Sequence, residues 1–141
     1  MDIEPLIDTE NTEGLKKDYS GYPESQLTQR VIGAAIEVHR RLGPGFLERV
    51  YENTLVHELR SRAINVAAQF DLEVRYKDVV VGVYCCDLLV EGRVLCEIKA
   101  TSGIDPAHEA QLINYLKGTG IRVGLLLNFG APKLQTKRMI F

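Results

Sequence analysis

Two short segments in the middle of the chain carry charges in otherwise apolar surroundings. Asp87 is the one charged residue in VVVGVYCCDLLV, and Glu97 and Lys99 stand two positions apart in VLCEIKA. Carboxylates, a backbone carbonyl and waters form an oxygen cage suited to Mg²⁺ or Mn²⁺, and a neighbouring lysine can orient or help deprotonate a metal-bound water. These three residues predict equipment for phosphodiester hydrolysis.

An ordinary structural explanation exists for the same residues. A Glu-x-Lys pair is common on exposed strand faces, and an aspartate near a strand end often only begins a turn. The arrangement of the surrounding elements therefore has to decide between the two interpretations.

The hairpin that joins the two segments decides whether Asp87 and Glu97 share a face of the sheet. A strict two-residue turn would pair Asp87 with Cys96 and point it away from Glu97. A three-residue loop with Gly92 in the left-handed conformation, or a bulge, puts both carboxylates on one face. Charged groups on a largely apolar face need one another or a cation, so we predict the odd-length loop or the bulge.

Glu48 is a candidate third carboxylate. It stands at i, i+3 and i+7 with Tyr51 and Leu55, so it borders the apolar stripe of a predicted helix and can approach the sheet. The alternative is a solvated glutamate favoured by the dipole at a helix start.

His108, Gln111 and Tyr115 form a polar stripe on a later helix, also at i, i+3 and i+7. Gln111 and Tyr115 could together reach a phosphate or a catalytic group. Alternatively, His108 sits in the first helical turn near the cap and Tyr115 fills core space.

The periodicity of the chain predicts the elements that would position these residues. Residues 1–25 lack apolar periodicity and are expected to be a flexible segment, whereas 26–141 form the folded domain. The predicted helices cover 26–42, 46–62 and 105–117, and the predicted strands 65–76, 79–90, 93–100, 122–129 and 137–141. Without the short final strand at 137–141, the order α, α, β, β, β, α, β indicates an α/β fold.

Composition narrows the classes of function. The 141 residues with 45% hydrophobic content suit one domain, and no apolar run approaches the roughly 20 residues of a membrane span. The N-terminus lacks a secretory pattern, so we expect a cytoplasmic protein without membrane contact. The net charge of −2 counts against tight free-standing DNA binding but allows weak contact with nucleic acid through local basic clusters.

The three cysteines, Cys85, Cys86 and Cys96, lie in apolar stretches without C-x-x-C spacing and are expected to be reduced core residues. A zinc site built from them with His108 is disfavoured, because adjacent cysteines on opposite strand faces do not readily share one tetrahedral ion.

Several motifs in order resemble one family. The segments GFLERVY (G-x-x-E-x-x-Y at Gly45, Glu48 and Tyr51), D…E-I-K, HEAQLINYL and LLLNFG are similar to those of GxxExxY proteins, which are grouped with the PD-(D/E)XK nuclease superfamily. The resemblance runs from about Leu27 to the C-terminus. It implies a restriction-endonuclease-like αβββαβ core with a mixed central sheet and, here, an extra N-terminal helix.

The resemblance also implies roles for individual residues. Asp87 and Glu97 would be metal ligands for Mg²⁺ or Mn²⁺, Lys99 the catalytic lysine, and Glu48 a further acid. Gln111 and Tyr115 match the Q-x-x-x-Y motif of RecB-like nucleases, where it supports the site. Two positions depart from the pattern: Cys86 replaces the proline of the superfamily's name, and Cys85 stands where many relatives have arginine.

The function that follows is a metal-dependent nuclease acting on DNA or RNA, and a homodimer would suit a small enzyme of this kind. The alternative is a catalytically inactive binding or accessory protein that keeps the nuclease fold. The sequence does not distinguish DNA from RNA or endonuclease from exonuclease action.

Overall fold

Three helices and a six-stranded mixed sheet make up the fold in a computed structural model, which describes residues 6–11 and 21–141. The helices are α1 (Ser25–Leu42), α2 (Glu48–Ser61) and α3 (Pro106–Thr119). The strands are β1 (Leu6–Asn11), β2 (Val66–Tyr76), β3 (Val79–Val90), β4 (Val94–Lys99), β5 (Val123–Asn128) and β6 (Gln135–Ile140). The strand order is β1-β6-β5-β4-β3-β2, with β4 and β5 parallel and every other pair antiparallel. This confirms the predicted α/β class and mixed central sheet.

The sheet has an apolar core on each face. On one face α1 and α2 cover alternate residues of β4 and β5, among them Val94, Cys96 and Ile98. On the other face α3 buries Leu112 and Leu116 against Leu95 and residues of the neighbouring strands. Because side chains alternate along a strand, Glu97 and Lys99 belong to the face that α3 covers.

Helix α3 links the parallel strands β4 and β5, and its start is well defined by the sequence. The Asp105 side chain accepts a hydrogen bond from the Ala107 N–H at 2.8 Å, and Pro106 occupies the first turn. Asp105 thereby satisfies one of the free N–H groups of the helix start. The predicted start is confirmed, and the helix ends at Thr119, two residues later than expected.

The β3–β4 hairpin has the predicted odd-length loop. Val90 pairs with Val94, so three residues separate the paired strands. Glu91 and Gly92 have φ angles of 52° and 66°, and the Arg93 N–H donates to the Val90 carbonyl at 2.9 Å. Continuing the observed register by one step sets Asp87 opposite Glu97.

Some features differ from the sequence-based expectations. Residues 6–11, expected to belong to a flexible segment, form β1 and pair with β6; the rest of that expectation for 1–5 and 12–20 lies outside the described residues. Cys85 is exposed, whereas Cys86 and Cys96 are buried as expected. Strand alternation next to a buried residue explains the difference. Within the described residues, no helix has the length and apolar character needed to cross a membrane.

Candidate active site

The β3–β4 ladder stops just before the two acidic residues, and their side chains take over its hydrogen bonds. The last pair in the ladder is Leu88 with Cys96. Beyond it, Oδ2 of Asp87 accepts a hydrogen bond from the Ile98 N–H at 2.8 Å. The Glu97 carboxylate in turn accepts one from the Asp87 N–H. Each carboxylate is therefore fixed by the backbone of the opposite strand.

Glu97 is held in an environment that disfavours its charge. Burial, with a contribution from the negative charges of Glu48 and Glu52, raises the pKa of Glu97 from 4.5 to about 7, although Lys99 and the Asp87 N–H act in the opposite direction. Its Oε1 atom is buried and has no hydrogen-bond partner among the described residues. A buried carboxylate oxygen without a hydrogen-bond donor is costly unless a cation or a proton neutralises its charge.

Lys99 is the last residue of β4, and its backbone is hydrogen-bonded to the residue that follows β5. Its carbonyl accepts a hydrogen bond from the Phe129 N–H at 2.8 Å. The ammonium lies close enough to Glu97 to lower the pKa of that carboxyl group, but it makes no direct ion pair with any described residue. It is half-buried and remains available for another negative group.

Asn128, which the sequence analysis left without a role, fixes the backbone just after Lys99. Its Oδ1 accepts from the N–H groups of Thr101 (3.0 Å) and Gly130 (3.1 Å), and its Nδ2 donates to the Thr101 carbonyl (3.0 Å) and to Oε1 of Gln135 (2.8 Å). A Cβ at Gly130 would lie 2.4 Å from Thr101 backbone atoms, so only glycine fits there. The LLLNFG segment holds the end of β4 in place.

Two glutamates of α2 approach the site. Glu48 opens the helix and is exposed, whereas Glu52, one turn later, is only 5% exposed. Both raise the pKa of Glu97. The sequence analysis found Glu48 through its motif but missed Glu52, whose signal was its i+4 spacing from Glu48 on the same helix face.

Gln69 connects Glu52 to β3. Its Nε2 donates to Oε1 of Glu52 at 2.8 Å, and its Oε1 accepts from the thiol of Cys85 at 3.5 Å. Gln69 has a φ of 51°. The β2–β3 pairing passes from Ala68 and Leu88 to Phe70 and Cys86, so it includes neither Gln69 nor Asp87. The sheet is thus interrupted on both sides of Asp87.

The tyrosine of the GFLERVY motif has a structural role. The Tyr51 hydroxyl donates to the Gly43 carbonyl at 2.5 Å and accepts from the Phe46 N–H at 3.2 Å, and its ring stacks on Phe129 at 4.8 Å between centroids. These contacts fix the loop before α2 and so set where Glu48 begins the helix.

The polar stripe of α3 lies on the same sheet face as Glu97 but is bonded within itself. Nε2 of Gln111 donates to the Tyr115 hydroxyl at 3.1 Å, and the Tyr115 ring stacks on Tyr84 of β3. No hydrogen bond joins either residue to Asp87, Glu97 or Lys99 within the described parts of the chain. His108 keeps a buried Nδ1 without a described partner.

The carboxylate oxygens of this site are chemically suited to a hard cation, although the described side chains do not form a complete set of ligands. The unpartnered Oε1 of Glu97 and the neighbouring carboxylates are oxygen ligands of the kind Mg²⁺ and Mn²⁺ take. Among the side chains that the structure describes, however, no three from His, Cys, Asp or Glu residues stand close enough to hold one ion together. Mg²⁺ is commonly bound through one or two carboxylates, with waters and substrate phosphates as the other ligands, so the residues fit that mode.

Comparisons with known proteins identify the fold and the superfamily of this chain. A solved crystal structure, that of SSO0001, matches this chain with 20% sequence identity and a TM-score of 0.50. The match covers 86% of this chain and 58% of the SSO0001 chain. This likeness concerns the fold, and the chain spans less than two thirds of that protein. No curated protein matches the chain. The family model of the PD-(D/E)XK nuclease superfamily matches residues 25–139, and the chain belongs to that superfamily.

Proposed function

We propose that this protein is a metal-dependent nuclease that hydrolyses phosphodiester bonds of DNA or RNA and uses Mg²⁺ or Mn²⁺. The observation that carries the proposal is the buried Oε1 atom of Glu97, which has no described partner. Glu97 lies opposite Asp87 when the hairpin register is continued by one step, and it stands two residues before Lys99. A site kept only for stability would have no reason to bury an unpaired carboxylate oxygen. Membership of the superfamily supports the same assignment.

Glu97 and Asp87 would hold the cation, with Glu48 as a further acid that approaches from α2. The chemistry that such a cation supplies is Lewis-acid polarisation of a phosphodiester and acidification of water. Lys99 would stabilise the negative charge that develops on the phosphoryl oxygens. Its ammonium group is available for this role because it forms no direct ion pair with a described residue. Glu52, held by Gln69, adds negative charge that attracts the cation.

Gln111 and Tyr115 would act as a supporting pair on the α3 side of the site. Their mutual hydrogen bond orients the Gln111 amide, which is exposed and free to contact a phosphate. The motif order supports placement in the GxxExxY branch of the superfamily. The free thiols of Cys85, Cys86 and Cys96 suit a reducing compartment such as the cytoplasm.

Cleavage assays on single- and double-stranded DNA and RNA with Mn²⁺ test the proposal. D87N, E97Q and K99A should each lower cleavage at least about a hundredfold, since each removes charge from the place where the transition state is stabilised. Each variant must melt cooperatively, which shows that it is folded. Cleavage that persists in all three variants would contradict the assignment of these residues.

A second candidate is a binding or accessory protein that keeps the fold without catalysis. Two observations favour it. The net charge is −2, and among the described residues no three potential metal ligands stand close enough to share one ion. Mn²⁺ binding that depends on Glu97, together with no turnover on any of the four substrates, would support this candidate over the nuclease.

A further inference from the structure

Strand β2 forms an open edge of the sheet next to a cluster of exposed apolar side chains. It pairs with β3 on one side, and no described strand pairs with its other side. Near its end and across the turn, Tyr76, Val79, Val81 and Val83 are 60–64% exposed. A long edge with apolar neighbours associates with other strands unless it is covered, and other proteins block such edges with bulges or prolines.

From Phe70 onward the outer edge of β2 is regular, because the irregularity near the β2–β3 turn lies in β3. Val74 pairs with Gly82 and Arg75 with Val80, so the extra residue is Val81 of β3. Along β2, charged and apolar side chains therefore alternate without interruption from Phe70 to Tyr76. The alternation leaves one row of charged residues and one row of apolar residues: Asp71, Glu73 and Arg75 in the first, and Leu72, Val74 and Tyr76 in the second.

The order of these residues is complementary to itself in the antiparallel direction. With a two-fold axis at Val74, Glu73 lies opposite Arg75 of the second strand, and Leu72 lies opposite Tyr76. By symmetry each of these pairs occurs twice, and opposite charges directly across a strand pair are favourable.

Neighbouring registers lack this match. A shift by one residue sets charged residues opposite apolar ones. A two-fold axis at Glu73 would instead set the two copies of that carboxylate against each other, and an axis at Arg75 would do the same with two guanidinium groups. The Glu73–Arg75 ion pair within one chain is half-exposed, so both groups can also reach a second copy.

We propose that two copies of this chain associate through β2 in antiparallel register about Val74, which extends the two six-stranded sheets into one continuous sheet. The occupant of the edge is thus a second copy of the chain. The argument rests on the edge, its exposed apolar neighbours and its charge order, and it is independent of whether the site cleaves nucleic acid.

Analytical ultracentrifugation over a range of protein concentrations tests the dimer. The unaltered protein should form a reversible dimer. R75E and E73R each place like charges opposite each other twice and should raise the dissociation constant at least about tenfold. The double variant E73R/R75E restores opposite charges in the same register and should recover most of the affinity.

R40E is the matched control. Arg40 also forms an exposed ion pair with a glutamate, Glu37, but it lies on α1. R40E therefore changes the net charge and breaks a surface ion pair as R75E does, and it should leave the dimer unchanged. Hydrogen exchange gives a second measurement: amides of residues 72–76 should become protected as the protein concentration rises.

Several results would overturn the proposal. These are a monomer at every concentration, equal weakening by R40E and R75E, or a double variant as weak as the single ones. Protection of residues 72–76 that appears only when nucleic acid is added would also overturn it, because the edge would then have a different occupant. E73R tests the same register from the other side of the pair if R75E fails to fold.

Discussion

Asn128 and Glu97 both hold the region around the end of β4, but the surrounding protein satisfies them to different degrees. Asn128 is fully buried, and both of its amide atoms have their hydrogen bonds made by neighbouring loop and strand atoms. Glu97 has one buried oxygen without a partner and a pKa raised to about 7. The hydrogen bonds of the Asn128 amide are made within the protein, whereas one oxygen of Glu97 has no partner among the described residues. We propose that this difference distinguishes a polar side chain with a structural role from one with a functional role, within a few residues of Lys99.

Exchanging amide and acid at these two positions should change stability in opposite directions. The larger effect is expected from N128D, which replaces the donor Nδ2 by an oxygen facing the Thr101 carbonyl and Oε1 of Gln135. A buried charge against two acceptors should lower the free energy of unfolding by about 3–5 kcal/mol. Urea unfolding measures this loss, and N114D, the same change at an exposed position of α3, should cost almost nothing. Equal effects of N128D and N114D would refute the structural role of Asn128.

E97Q should raise the free energy of unfolding in the absence of metal ions, whereas N128D lowers it. The pKa of Glu97 in the folded protein lies above its ordinary value of 4.5. The folded protein therefore binds more protons than the unfolded chain between about pH 4.5 and 7. The free energy of unfolding should therefore fall as the pH rises through that window and remain lower above it. E97Q removes this slope and should be more stable than the unaltered protein at pH 8, by about 1–3 kcal/mol, and equal to it near pH 4.5.

E58Q serves as the control for E97Q, because Glu58 is paired with Arg62 on the surface of α2. It removes one surface ion pair and should cost at most about 1 kcal/mol at pH 8, without the gain in stability that is expected of E97Q. Unfolding curves of the unaltered protein and E97Q that run parallel from pH 4.5 to 8 would contradict the account of Glu97.

E52Q should have a smaller effect of the same kind. Glu52 is buried and its negative charge raises the pKa of Glu97, so its removal should lower the pH at which Glu97 loses its proton. It should also weaken Mn²⁺ binding at pH 8 by roughly threefold to tenfold, because one attracting charge is lost. Calorimetric titrations at several pH values measure both changes. If E52Q binds Mn²⁺ as the E58Q control does, Glu52 has no part in the site.

Much of the fold could be predicted from the sequence because its signals are local. The apolar periodicities indicate three helices and the central strands, and Asp105-Pro106 indicates the start of α3. The hairpin register could also be predicted, since Gly92 and the charge pattern required Asp87 and Glu97 on one face. These signals lie within a few residues of the structure they determine.

The remaining features depend on contacts between distant segments. Strand β1 is stabilised by pairing with β6 at the other end of the chain, and its own sequence has no strong periodicity. The roles of Glu52 and Asn128 depend on Gln69 and Thr101, which are 17 and 27 residues away. Cys85 and Cys86 are neighbours in an apolar run, and only the packing of α3 decides which one is buried.

Calorimetric titration of the protein with Mn²⁺ at pH 8 and at pH 6 is the most direct test of the central claim that Glu97 binds a divalent cation. The unaltered protein should bind the ion at pH 8 and bind it about tenfold more weakly at pH 6, because protons compete for a carboxyl group whose pKa is about 7. D87N and E97Q should bind much more weakly at both pH values. An absence of binding heat at pH 8, or the same affinity in E97Q as in the unaltered protein, would contradict the account.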